Sequence, residues 1–110
     1  MAYKAIDPDY EYTEVGTVYL LHFDKPYMHA SHYIGFTTDL EARIEAHRTG
    51  KGARLMEVIK DAGIGFHVAA TWDNVTREKE RRLKNGGGAC RNCPTCKAEA
   101  KARDAARAAA

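Results

Sequence analysis

Across 110 residues, no apolar run approaches the roughly 18 residues that span a bilayer, which argues against a helical membrane protein. The opening stretch MAYKAIDPDYEYTEV lacks the apolar segment a secretory leader needs and is rich in acids. The expected location is therefore intracellular: cytoplasmic, and nucleoid-associated in a bacterium. Cysteine is scarce. Three are present, an odd number, all between Cys90 and Cys96, a pattern that suits a metal or redox feature better than a disulfide framework. No internal repeat is visible. What remains is an ordinary composition, 45% hydrophobic and 29% charged, with room for one domain around a single modest core.

The net charge of +2 conceals an asymmetry. Residues 1–15 carry one Lys and four acids; residues 16–74 carry six basic and seven acidic groups; residues 75–110 carry ten basic and four acidic groups. A basic end on a near-neutral body fits contact with a polyanion, because each cation placed on a phosphate releases condensed counterions. A solvated helical face would look the same.

Residues 1–15 read as an extended lead-in that Tyr3, Tyr10 and Tyr12 would pack onto the body. Thr17–Phe23 and Ser31–Phe36, rich in β-branched and aromatic residues, read as two strands of an antiparallel hairpin, with Asp24-Lys25-Pro26 as turn. Thr38-Asp39-Leu40-Glu41 reads as a capping box with the Thr38 hydroxyl as cap. Helix 39–49 follows and stops at Gly50 and Gly52. A second helix, 53–62, has the apolar stripe Leu55, Val58, Ile59, Ala62 and stops at Gly63 and Gly65. Phe66–Trp72 reads as a third strand with Phe66, Val68, Ala70 and Trp72 on one face. A third helix runs from near Thr76 to Asn85, ending at Gly86-Gly87-Gly88, and residues 97–110 form an Ala-rich charged helical tail. The expected fold class is α+β: a small three-stranded antiparallel sheet flanked by helices, with a lead-in (1–15), a domain (16–96) and a tail (97–110).

Several polar groups are chemically suggestive. Arg43 and His47, four apart, share a helix face. Tyr19 and Tyr33 can stand on adjacent strands, and Glu80 lies on a later helix. A phenol, an imidazole, a guanidinium and a carboxylate would together suit phosphodiester hydrolysis, which needs water deprotonated, a cation on the phosphate and a metal at the leaving oxygen. Spacing alone leaves open that the tyrosines are amphipathic strand residues and His47 a surface residue.

The series Val18-Tyr19-Leu20, Tyr33-Ile34-Gly35, Thr38 to His47 as T-x₄-R-x₃-H, Gly50-Lys51-Gly52-Ala53, and Glu78-Lys79-Glu80-Arg81-Arg82-Leu83-Lys84 resembles the GIY-YIG nuclease superfamily over residues 16–92. Val18 stands where the family usually has Ile, and Leu20 follows the tyrosine. The resemblance implies a DNA endonuclease. Tyr19 would be the general base or position the attacking water, and Tyr33 would support the water network. Arg43 would bind the scissile phosphate, and His47 would assist proton transfer. Glu80 would hold a divalent cation, Mg²⁺ or Mn²⁺, with Glu78 as its rival. Asn92, with Asn85 second, would take the family's asparagine position, and Lys51 would touch the DNA backbone. Gly35 would let its strand approach the helix closely. One such site cuts one strand, so a double-strand break would require a homodimer or two binding events.

Cys90, Cys93 and Cys96 offer three thiolates at C-x₂-C-x₂-C spacing for a structural Zn²⁺, whose fourth ligand would come from a distant histidine, His67 being nearest in sequence, or from another chain. Free thiols in a loop are the alternative. Two readings from other classes stand beside the nuclease: a catalytically silent nucleic-acid-binding module, and a zinc-stabilised interaction protein.

Overall fold

The computed structural model describes residues 14–85 and 88–109. The expected lead-in packing by Tyr3, Tyr10 and Tyr12 lies outside the described residues. Three strands, β1 (Gly16–Tyr27), β2 (Ala30–Thr37) and β3 (Phe66–Val75), form one antiparallel sheet in the order β2-β1-β3. Among the described residues five helices accompany it: α1 (Leu40–Arg48), α2 (Arg54–Asp61), α3 (Arg77–Asn85), α4 (Gly88–Arg91) and α5 (Pro94–Ala109). This is a mixed α+β architecture around a three-stranded antiparallel sheet. No described helix is long and apolar enough to cross a membrane.

β1 is the centre of the molecule because its side chains are apolar on both faces. Val18 and Leu20 point into one core, with Ile34, Phe36, Leu83 and Cys93. Tyr19, Leu21 and Phe23 point into the other, with Met56, Ile59 and Ile64. Strand alternation assigns the faces, and helices cover both: α1 and α2 on one, α3 to α5 on the other. Complete burial of Met56 and Ile59 holds α2 in place, each contributing about 1.5–3 kcal/mol. The stripe expected on α2 included Ile59 but omitted Met56, and Ala62 is exposed.

The helix ends follow local chemistry. Both α1 and α2 close in Schellman motifs on left-handed glycines, Gly50 (φ 80°) and Gly63 (φ 77°). In the first, the Gly50 and Lys51 amides donate to the His47 and Ala46 carbonyls at 3.2 and 2.8 Å. In the second, the Gly63 and Ile64 amides donate to Lys60 and Ile59 at 3.0 and 2.9 Å, and Ile64 joins Ile59 in the core. The α1 amino terminus departs by one residue from the expected capping box. Asp39, not Thr38, is the cap: its Oδ1 accepts from the Ala42 amide at 3.1 Å, while Thr37 Oγ1 accepts from the Asp39 amide at 3.0 Å. A carboxylate there also complements the helix dipole.

Two strand expectations change. Asp24-Lys25-Pro26 lies inside β1, in the stretch between His22 and Tyr27 where pairing with β2 lapses; the reversal comes at Met28, in the left-handed region at φ 56°. In β3, Leu20 pairs with Ala70 but Leu21 with Val68, so Ala69 is an extra residue, a bulge. The inserted residue flips the alternation. Phe66 and Val68 pack with the α1/α2 core, whereas Ala70 and Trp72 pack with the opposite one, so these four do not share a face.

Candidate functional site

The β1–β2 register opposes Tyr19 to Gly35 and Leu21 to Tyr33, which puts both tyrosines on the face covered by α1. Gly35 is what makes room: a Cβ there would collide with the Tyr19 hydroxyl and ring. The glycine thus accommodates the phenol of the neighbouring strand rather than a close helix. Across the gap, His47 on α1 is fully buried, and its Nε2 shares a hydrogen bond of 2.8 Å with the Tyr19 hydroxyl. The ring of Tyr33 stands 6.1 Å from that of Tyr19 and 5.3 Å from that of His47. His47 Nδ1 faces Gly52, where any side chain would strike the ring, and it has no hydrogen-bond partner among the described residues.

Arg43 lies one turn before His47 and is half-buried. The Tyr19 hydroxyl beside its guanidinium holds Arg43 above the ordinary arginine value against the lowering effect of burial, with Tyr33 adding to the rise. Burial pushes the Tyr19 phenol up to about 12, against the lowering contact with Arg43, and the neighbouring Tyr33 and Glu80 add to the rise. Burial, reinforced by the Arg43 cation, pushes His47 down to about 4. At neutral pH the pair is therefore a neutral phenol beside a neutral imidazole.

Glu80 is close enough for its charge to be felt at Tyr19. Its side chain is only 17% exposed and its Oε2 holds Lys84 Nζ at 3.0 Å. Glu78, half exposed, is paired instead with Arg82 at 3.0 Å. Two residues apart on one helix, these carboxylates face different ways, and Glu80 is the one whose charge reaches Tyr19. Arg43 also borders a hollow with Glu14, Phe36, Thr37, Thr38 and Arg77, in which Arg77 Nε lies 4.0 Å from Glu14 Oε1. Lys51 is exposed in the loop after α1. Asn92 donates through Nδ2 to the Gly88 carbonyl at 2.8 Å, which commits its amide to local structure, and Asn85 is exposed at the end of α3.

The cysteine segment meets the hairpin on the opposite side of the sheet. His22 Nδ1, His32 Nε2, Cys93 Sγ and Cys96 Sγ all lie within 4.8 Å of one another, a His₂Cys₂ cluster able to hold a metal ion. Cys90, expected among the ligands, is exposed and outside this set. His67, expected as a fourth ligand, is outside it too: its Nε2 is bonded to Thr95 Oγ1 at 2.9 Å while its ring stacks 5.3 Å from that of His22. His22 and His32 were invisible to a reading by sequence spacing. The signal lay in the register, since Tyr19 opposite Gly35 forces His22 opposite His32 three pairs further along. A hollow lined by His22, His32, Tyr33, Lys84 and Cys96 opens beside this cluster, not over the enclosed Tyr19.

Five sequence-nominated residues are thus gathered: Tyr19, Tyr33, Arg43 and His47 in contact, and Glu80 within electrostatic reach. Comparison with family models, with curated proteins and with solved structures finds no match to the chain.

Proposed function

We propose that this chain is a metal-dependent endonuclease of the GIY-YIG type, hydrolysing DNA phosphodiester bonds one strand at a time. The observation that carries the reading is the meeting of two phenols, a guanidinium and an imidazole from three separate elements, with a largely buried carboxylate close by. A cluster costs stability when its polar groups are buried without need, and such costs concentrate at functional sites.

Arg43 binds the scissile phosphate, with Arg77 and the Thr37 and Thr38 hydroxyls bordering the same hollow. Tyr19 is fully covered in this state. A phosphate that draws the Arg43 cation toward itself removes part of the field that depresses His47. The Tyr19 oxygen can then take a proton from the attacking water as its own proton passes to His47 Nε2 along the 2.8 Å hydrogen bond. Tyr33, partly exposed, orients that water. Glu80 suits Mg²⁺ or Mn²⁺, since such ions take one or two protein carboxylates and keep most of their waters. When bound, the ion stabilises charge on the leaving oxygen.

Incubation of the purified chain with supercoiled plasmid and Mg²⁺ or Mn²⁺ tests this. Nicking is expected, with Arg43→Ala and Glu80→Ala each lowering it by about 100-fold or more. The covered Tyr19 and the Lys84 counterion on Glu80 favour a second reading, a silent nucleic-acid-binding module. Binding to DNA without nicking under every divalent metal would establish that module and remove the enzyme.

A further inference from the structure

The His₂Cys₂ cluster stands apart from the tyrosine site, on the far side of the sheet. Four of its six ligand-to-ligand distances are close to those of a coordination shell, and the other two are within 4.8 Å. A tetrahedral zinc, with Zn–N of about 2.05 Å and Zn–S of about 2.3 Å, separates two nitrogens by about 3.3 Å, nitrogen from sulfur by about 3.6 Å, and two sulfurs by about 3.8 Å. Here His22 Nδ1 and His32 Nε2 are 3.2 Å apart. His22 Nδ1 is 3.4 Å from Cys93 Sγ and 3.7 Å from Cys96 Sγ, and His32 Nε2 is 3.2 Å from Cys96 Sγ.

Hydrogen bonding alone does not account for this arrangement. An imidazole nitrogen has either one N–H or one lone pair, directed along one line in the ring plane. His22 Nδ1 nevertheless faces three partners at once. A shared cation at the centre satisfies all of them. The surroundings also fit: the Cys96 amide donates to Cys93 Sγ at 3.5 Å, as amides do toward thiolate ligands, and His67, fixed by Thr95, packs on the His22 ring and sets its orientation.

We infer that His22, His32, Cys93 and Cys96 bind one structural Zn²⁺ that clips the start of α5 to the β1–β2 hairpin. Nitrogen and thiolate ligands in tetrahedral array select zinc over the hard ions suited to Glu80. The clip joins positions 71 and 74 residues apart in the chain, counting from His22 to Cys93 and Cys96. It fixes the hairpin register three pairs from Tyr19 and one residue from Tyr33. The inference is independent of the nuclease reading.

Zinc analysis of the full chain should return one equivalent that survives dialysis. Cobalt substitution should give the visible bands of a tetrahedral ion together with thiolate-to-cobalt charge transfer. X-ray absorption at the zinc edge of the unaltered protein should find two sulfur and two nitrogen neighbours. Three sulfurs and one nitrogen would put Cys90 in the shell and overturn the assignment, as would absence of retained zinc. Among variants, His32→Ala and Cys96→Ser should weaken zinc retention by about 10-fold or more, whereas Cys90→Ser should keep it. Glu80→Ala should retain full zinc whatever its effect on nicking, so failure of either proposal is read without the other.

Discussion

At the scale of single residues, Gly35 and His47 govern the tyrosine site, one by the space it leaves and the other by its protonation. Gly35 leaves the space the Tyr19 phenol fills. Gly35→Ala must displace that ring, at a cost of about 1–3 kcal/mol, and should both lower the thermal midpoint and abolish nicking. A variant of unchanged stability and activity would show that the phenol has room elsewhere. His47 gives a pH dependence. Its folded value, about 4, lies below the ordinary 6.5, so between these the unfolded chain binds a proton that the folded chain refuses. Stability is fully present above 6.5 and is lost as pH falls toward 4, by on the order of 3 kcal/mol from this group. Urea titrations in neutral and mildly acidic buffer should show this loss shrinking in His47→Gln.

At the scale of elements, α1 presents both Arg43 and His47, so its amino-terminal cap supports the site. Asp39→Ala should cost about 0.5–2 kcal/mol, while Thr38→Ala should be close to neutral because its hydroxyl is not the one that caps. Paired melting curves separate the two, and the reverse ranking would restore the capping box centred on Thr38. The elements themselves were largely legible. Gly50 and Gly63 stop their helices because each must adopt a positive φ, and the β-branched runs mark the strands. The faces of β3 were not. Alternation predicts which side a residue occupies only while pairing is regular, and one extra residue at Ala69 sends Trp72 to the opposite core from Phe66. Nothing in the run Phe66–Trp72 announces such an insertion, since the bulge is set by what β1 must bury on each side.

At the scale of the whole molecule, the chemistry that sequence spacing found and the chemistry it missed differ in kind. Arg43 and His47 share a helix, so a four-residue interval reveals them. The partners of Cys93 and Cys96 lie on two strands more than sixty residues earlier, and become visible only once the hairpin register is fixed. The basic excess of the last third falls mostly on exposed helical surface, with no buried residue on α5. Replacing Lys101 and Arg103 together by Gln should leave thermal stability unchanged but flatten the salt dependence of DNA binding. The logarithmic slope should decrease by up to about 2, as measured by fluorescence anisotropy across a salt series. An unaltered slope would remove the tail from the DNA interface.

β1 has a neighbour on each edge and a helical layer on each face, with Tyr19 and Leu20 adjacent in sequence yet belonging to different cores. Neither half of the molecule can loosen while the other stays intact, because both are built on the same backbone. Amide protons of residues 18–21 should accordingly be the last to yield to deuterium, all with one opening free energy equal to that of complete unfolding. A destabilising change anywhere along this strand is felt on both sides at once, which leaves the tyrosine face and the cysteine face to stand or fall together.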